Sequence, residues 1–309
     1  MGVGPYGALL DAVRGVRWPA RRPVPQGAPG AHQARSRGVA PEFAEYRPYR
    51  QGDDPKRLDW KLLARSDRAF IRLAPDHSTL GTTFIVDASA SMDYPAAERN
   101  KWTLAKRLTV ALAAAAHAGS DPVGVVIASA LTAQRLEPRT RRGVVGEIAR
   151  ALDATRLGGS PMLAPHVALS APRCVVITDC LGDVHALRTA LAQHVVRGGE
   201  AYLLHVVSRL ELEPPPEPVL ATDPRDPTMR RALLSATRSS YLAAFDAFRA
   251  EVARGMRADG VQVHEVIDDA AVDVLVPAPA GRGDEIPGLH RADLAVDDRR
   301  RAAAGHDEA

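Results

Sequence analysis

Residues 84–92 read Phe-Ile-Val-Asp-Ala-Ser-Ala-Ser-Met, an apolar run that ends in an aspartate followed by serines at alternate positions. The spacing puts Asp87, Ser89 and Ser91 in a tight arc where a buried strand gives way to a loop. Three oxygen donors, with no imidazole and no thiolate among them, suit a hard divalent cation such as Mg²⁺. Asp and Ser are also preferred helix caps, so the triplet taken alone fits a turn that starts the next helix. Which chemistry holds depends on what else the fold brings to the same place.

From Thr82 onward, apolar runs alternate with helical periodicity. Strands are expected at Thr82–Asp87, Val123–Ser129, Cys174–Asp179, Ala201–Val207 and Val261–Val266. Their apolar runs are continuous rather than alternating, as in parallel strands covered on both faces. Between them Leu104, Leu108, Ala111, Leu112 and Ala115 mark one helix face. Val144, Ile148 and Leu152 mark a second, and Leu187, Leu191 and Val195 a third. Leu234, Tyr241, Phe245, Phe248, Val252 and Met256 mark a long helix before the last strand. This alternation predicts an α/β fold with a doubly wound, mostly parallel sheet of Rossmann type.

In such a sheet ligands collect at the carboxyl ends of strands where the strand order reverses. Asp87 closes the first strand, and Asp179 closes the run Cys174-Val-Val-Ile-Thr-Asp. Gly158-Gly159-Ser160-Pro161, on a loop between helical segments, offers one more hydroxyl. The expected metal set is therefore Asp87, Ser89, Ser91, Ser160 and Asp179. Two carboxylates and three hydroxyls leave room for waters and one exchangeable ligand, as Mg²⁺ sites do, and Mn²⁺ or Ca²⁺ would meet the same donors.

The rest of the chain bounds the alternatives. It has 309 residues, 46% hydrophobic and 25% charged, the composition of an ordinary soluble protein. The net charge of +3 comes from residues 1–40, where Arg14, Arg17, Arg21, Arg22, Arg35 and Arg37 face Asp11 alone. With that arm at +5 the remaining chain carries 3 − 5 = −2, so no nucleic-acid partner is expected. Cys174 and Cys180 have no ligand set around them and read as reduced, buried thiols. His117 and His205 lie in apolar segments and read as core histidines. No apolar core precedes a cleavage site near Met1, and the longest apolar stretch, Leu108–Gly119, is too short to span a bilayer. A cytoplasmic protein without a transmembrane segment is expected. Pro214–Pro227 holds six prolines and reads as an insertion or loop, and 278–309 as a disordered tail whose Arg282-Gly283-Asp284 is fortuitous.

Between the irregular basic arm (1–40) and the first strand, residues 41–78 mix charge with aromatic side chains. Arg47, Asp53, Asp54, Arg57, Asp59, Trp60 and Arg65 read either as an ion-paired structural plug or as a partner-docking surface. The series Glu42-Phe43-Ala-Glu45-Tyr46-Arg47, Tyr49, Gly52-Asp53-Asp54, Arg57, Asp59-Trp60 and Ala64-Arg65, followed by Asp87-x-Ser-x-Ser91-Met92, resembles the bacterial "domain of unknown function 58" family. The order Asp-x-Ser-x-Ser, Gly-Gly-Ser, strand-terminal Asp resembles the metal-ion-dependent adhesion site of von Willebrand factor A domains. Most members of that class have Thr where this chain has Ser160. The resemblance implies a small N-terminal β-containing segment (41–78) packed on a von Willebrand factor A-like domain (79–277). It also implies a partner's carboxylate completing the metal shell, and an association with MoxR-type AAA+ ATPases.

The function expected is a non-catalytic, metal-dependent protein-binding module, an adaptor for such an ATPase in assembly or maturation of client proteins. A metal-dependent hydrolase is the alternative, but Ser89 stands where an Asp-x-Asp phosphatase has its second carboxylate. No phosphate-binding G-x-x-x-x-G-K-[ST] loop, G-x-S-x-G elbow or H-E-x-x-H helix occurs either. A nucleic-acid-binding role for the basic arm is a further alternative, weakened because no stacking aromatics interleave with its arginines.

Overall fold

Apolar runs of this kind stay out of water only if helices cover both faces of the sheet they form. In the computed structural model they do. The structure describes residues 5–16, 18–21, 29–38, 45–49, 58–66, 68–95, 100–130, 133–223 and 228–268. The chain divides into one unit of Met1–Trp18, Gly81–Ala118 and Pro122–Ala309, and another of Pro19–Leu80 with Gly119–Asp121.

The smaller unit has β1 (Pro29–Gly38), β2 (Glu45–Pro48) and β3 (Phe70–Ser78) in an antiparallel sheet of order β1-β3-β2, with helix α2 (Trp60–Ser66). The larger unit starts with α1 (Gly7–Ala12) and is built on a six-stranded sheet. Its strands are β4 (Thr82–Asp87), β5 (Val123–Ala128), β6 (Ala133–Arg139), β7 (Arg173–Thr178), β8 (Glu200–Val207) and β11 (Gln262–Ile267). Their order is β11-β8-β7-β4-β5-β6, parallel except for the antiparallel edge strand β6. The five strands expected from sequence are five of these six, within a residue at either end. β6 was not expected: Ala-Gln-Arg-Leu-Glu-Pro-Arg has no apolar run, because an edge strand facing solvent needs none.

Alternation along β4 sends Phe84 and Val86 to one face and Ile85 to the other. The first face is covered by α3 (Lys101–Ala118) and α4 (Val144–Asp153) through Leu104, Leu108, Ile148 and Leu152. The second is covered by α5 (Ala164–Ala168), α6 (Val184–Val196) and α8 (Ser235–Ala258) through Val167, Leu187, Leu191, Val252 and Met256. The sheet is therefore doubly wound. From β4 the chain runs outward to β5 and later returns to β7 on the other side, so the order reverses between β4 and β7.

Three expectations need correction. The arm 1–40 is not irregular throughout: α1 forms within it, and Tyr6, Leu9, Val13, Val16 and Trp18 are buried in the first core, while Pro29–Gly38 is strand β1. Apolar spacing at i, i+3 and i+4 (Tyr6, Leu9, Val13, Val16) was present but obscured by the basic composition of the arm as a whole. The proline-rich insertion contains strand β9 (Val219–Thr222), paired with β10 (Arg230–Leu233) as a hairpin, after the short helix α7 (Arg209–Leu212). Leu234 is the N-cap of α8 and 48% exposed rather than part of its buried stripe. The tail from 278 lies outside the described residues. No helix among those described is long and apolar enough to cross a membrane.

Candidate metal centre

The Asp-x-Ser-x-Ser arc forms because β4 ends where its ladder ends. Ala88 N–H still donates to Ala128 O (2.8 Å), and the chain then turns into a short 3₁₀ segment at Ala90–Asp93. Asp87 Oδ1 accepts the Ser89 N–H (2.9 Å), and Met92, fully buried, anchors the turn beneath. Ser89 Oγ and Ser91 Oγ lie 3.0 Å apart. On the adjacent strand Thr178 Oγ donates to Asp87 Oδ2 (2.7 Å), and the next residue, Asp179, accepts a hydrogen bond from Ser91. Cys180 follows at φ +59°, a left-handed conformation uncommon for a residue with a Cβ, and its N–H returns to Thr178 Oγ (3.1 Å).

Four of the five expected donors, Asp87, Ser89, Ser91 and Asp179, thus converge at the switch point, each no more than 3% exposed. Ser160 differs because its side chain is exposed. Its loop is nonetheless zipped to the arc: Gly158 N–H donates to Ala88 O (3.1 Å) and Gly159 O accepts from Ala90 N–H (3.1 Å). Gly159 is required there. Its φ is +63°, and a Cβ would stand 2.1 Å from that of Ala130.

Sequence reasoning missed the cation that the site already contains. Lys101 Nζ, 1% exposed, lies 2.9 Å from Asp179 Oδ2 and 2.9 Å from Glu211 Oε1. Glu211 is fixed in turn by a capping box at the start of α7, where its Oε2 accepts the Ser208 N–H (2.7 Å). Both had signals. Lys101 continues the apolar stripe of Leu104 and Leu108 at helical spacing, where a lysine needs a buried partner, and Ser208-x-x-Glu211 is a capping-box pattern. Thr178, one residue before Asp179, had none.

The two aspartates are poised differently. Burial, then the Asp179 charge, pushes the Asp87 carboxyl above its ordinary 3.8, and the bonds from Thr178 and Ser89 offset this only in part. Burial acts the same way on Asp179. There the Lys101 ammonium and the bonds from Ser91, Lys101 and the Leu181 N–H outweigh it and hold the carboxyl below 3.8. Burial would lower Lys101, yet Asp179 and Glu211 together keep it raised. His205 Nε2 faces the Asp179 carbonyl (3.2 Å), and burial keeps its pKa low, as a neutral core histidine requires. Cys174 and Cys180 are free and buried; burial pushes the first up to about 12 and the second well up, which leaves both inert.

As to metal, the donors are oxygens only, which fits a hard cation. Among the described residues no group of three or more His, Cys, Asp or Glu converges, so any cation here would rest on the serine hydroxyls as much as on the carboxylates. Of the suggested docking cluster, Asp59 is a cap, its Oδ1 accepting the Leu62 N–H of α2 (3.0 Å). Trp60 is 63% exposed, Arg65 lies in the last turn of α2, and Arg47 lies on β2 opposite Ile71. Asp53, Asp54 and Arg57 lie outside the described residues.

A mostly parallel, doubly wound sheet with an Asp-x-Ser-x-Ser arc at its switch point is the architecture that the resemblance to von Willebrand factor A domains implies. Within that class the chain belongs to the family described as "Protein of unknown function DUF58", which it matches over residues 45–215. An uncharacterized protein of Mycobacterium tuberculosis is 29% identical to it over 254 residues, 75% of this chain and 76% of that protein, and one of Mycobacterium bovis matches equally. Among solved structures, the hypothetical protein BatB of Bacteroides thetaiotaomicron is 15% identical, with 64% of this chain and 95% of that one covered at a TM-score of 0.43. The SpRpn10 VWA domain is 10% identical, with 67% and 100% covered at a TM-score of 0.39. Likenesses this distant say nothing of activity.

Proposed function

We propose that this chain is a non-catalytic protein-binding module whose switch-point site takes a divalent cation, Mg²⁺ before Mn²⁺ or Ca²⁺. Asp87, Ser89, Ser91 and Asp179 would hold it, with Ser160 at the exposed rim. A bound Mg²⁺ would supply one exchangeable position for a partner's carboxylate. The observation that carries the reading is the convergence of oxygen donors: Asp87, Ser89, Ser91 and Asp179, each no more than 3% exposed, meet at the carboxyl ends of β4 and β7, where the Asp179 charge pushes the Asp87 carboxyl up. A dication held between the two carboxylates would offset that repulsion. Hydrolysis is the lesser reading because Ser89 stands where a second catalytic carboxylate would act, His205 is turned to a carbonyl and Lys101 is held by two carboxylates. The MoxR-type AAA+ ATPase as partner, and client assembly as the task, rest on the family resemblance.

Two measurements test this. Calorimetric titration with Mg²⁺, Mn²⁺ and Ca²⁺ should show one site in the wild type and none in Asp87→Ala. Affinity capture from lysate should recover an AAA+ ATPase with wild type in Mg²⁺, and neither with Asp87→Ala nor in EDTA. Unchanged metal binding by Asp87→Ala, or metal-dependent turnover of a phosphoester, would defeat the proposal.

A further inference from the structure

A helix that covers a sheet buries one stripe and turns a charged face to water. On α6 the buried stripe is present, since Leu187 and Leu191 lie in the second core. The opposite side departs from the pattern. From Thr189 to Val196 no residue carries a formal charge, and burial keeps the pKa of His194 low where its Nε2 faces the Pro172 carbonyl (3.1 Å). Val196, at 86%, is the most exposed large apolar side chain among the described residues.

This side of α6 is also concave. Thr189, Ala192, Gln193 and Val196 line a cleft of about 500 Å³. Its wall is completed by His185, Arg188 and Arg197 of the same helix and by Asp259, the C-cap of α8. Arg188 Nε and Nη2 donate to Asp259 Oδ2 and Oδ1 (2.6 and 3.4 Å), which ties α6 to α8. A Cβ on Gly255 would come within 2.8 Å of that guanidinium, so the glycine leaves the space in which Arg188 lies. Arg188 and Asp259 neutralise each other. Arg197 is exposed and has no carboxylate partner among the described residues, so the cleft carries a net positive charge.

We infer that this cleft docks an acidic amphipathic helix of a partner protein, with apolar side chains over Ala192 and Val196, one turn apart, and a carboxylate on Arg197. Thr189 and Ala192 are small enough to let a second helix approach closely, and helices dock on each other through such i, i+3 and i, i+4 rows. A second copy of this chain fits less well. Laid antiparallel about a two-fold axis at Ala192–Gln193, α6 on α6 sets Arg188 of one copy beside Arg197 of the other, and like charges repel. None of the proposed metal donors takes part, so the inference goes beyond the metal-dependent reading and stands or falls apart from it.

Three blocked peptides, each two heptads long, test it on the full chain in EDTA by heteronuclear NMR. The acidic one repeats Glu-Leu-Ala-Ala-Leu-Glu-Glu, the basic one has Lys for every Glu, and the polar one has Ser for every Leu. The acidic peptide should shift the amide signals of Thr189, Ala192, Gln193 and Val196 and bind at least tenfold more tightly than either control. Val196→Ser should weaken it about tenfold while the urea midpoint stays at the wild-type value, since the side chain is exposed. Arg197→Glu should lose the acidic peptide and gain the basic one, a reversal that a folding defect cannot produce. Equal binding of the acidic and basic peptides would overturn the acidic partner. Shifts that are absent, or that fall away from α6, would overturn the site. Dimerisation of the free chain that Val196→Ser abolishes would assign the face to a second copy and overturn the partner helix.

Discussion

At the amino end of β7 the Arg173 guanidinium is fully buried. It is bonded to Glu200 (3.2 Å) and to the Trp18 carbonyl (3.4 Å), and it lies 4.5 Å from the centre of the Trp18 ring. At the carboxyl end of the same strand the Lys101 ammonium is buried almost as deeply but meets two carboxylates, with a third, Asp87, close by. The first end is closed. Among the described residues one carboxylate meets one guanidinium, Tyr202 Oη supplies Glu200 with a further bond (3.3 Å), and the Trp18 ring covers the cation. At the second end two carboxylates share one ammonium among the described residues, and the Asp179 charge still pushes the Asp87 carboxyl up. A buried charge is tolerated when paired and bonded. What separates a structural ion pair from a candidate binding site here is therefore the leftover charge, not burial.

The largest effect expected from breaking this contrast is at the closed end. Arg173→Met leaves Glu200 buried without its cation and should cost about 3–5 kcal/mol of stability in urea unfolding, as loss of one partner of a buried pair does. Because the end is balanced, removing Glu200 as well (Arg173→Met with Glu200→Leu) should recover most of that loss. Added Mg²⁺ should help the single variant no more than it helps the wild type.

At the open end the same kind of substitution should behave differently. Lys101→Met strips the ammonium from Asp179 and Glu211 and should cost roughly 3 kcal/mol without divalent cation. Mg²⁺ should bind it more tightly than it binds the wild type, since it no longer competes with the ammonium for Asp179. At a hundred times the dissociation constant the recovery would be about 2.7 kcal/mol. If Lys101→Met gained no more from Mg²⁺ than Arg173→Met, the two ends would be equivalent and the contrast lost.

Most of this architecture was legible. The buried strands announce themselves as apolar runs; their order does not, and Asp179 stood opposite Asp87 only on the condition, met in the structure, that the two strands are neighbours. What escaped was local or relational. β6 is polar because one face meets water, and α1 is only six residues long. Lys101 looked like the ordinary first charge of a helix: its meaning depends on Asp179 and Glu211, 78 and 110 residues away in sequence. Such a pairing has no periodicity to betray it. The serines were legible because they share one turn, whereas the coupling of Thr178 to Asp87 exists only once β7 lies beside β4.

The two aspartates sharpen the comparison through pH. Asp87 has a raised folded pKa, so without metal it favours the folded state below its unfolded value, and that contribution is lost as pH rises through the folded one. Asp179 has a lowered folded pKa; its contribution is present above the unfolded value and is lost as pH falls through the folded one. The wild type in EDTA should therefore lose stability as pH rises above about 4, and Asp87→Asn should remove that decline. It should leave the acid-side loss due to Asp179 in place. Mg²⁺ should abolish the decline in the wild type and change nothing in the variant. Urea midpoints across pH, with and without Mg²⁺, measure both.

The smallest effect is expected at Ser160, the one proposed donor that the fold leaves exposed. An exposed hydroxyl on a loop adds little to stability, so Ser160→Ala should stay within about 0.5 kcal/mol of the wild type in urea. If the hydroxyl belongs to the metal shell, the same change should weaken Mg²⁺ binding up to tenfold, about 1.4 kcal/mol. Ser160→Thr keeps the oxygen while the γ-methyl restricts χ1, so it should bind at least as tightly as the wild type. A Ser160→Ala variant that titrates like the wild type would confine the site to the buried four donors and assign the Gly158–Gly159 zipper to holding the arc alone.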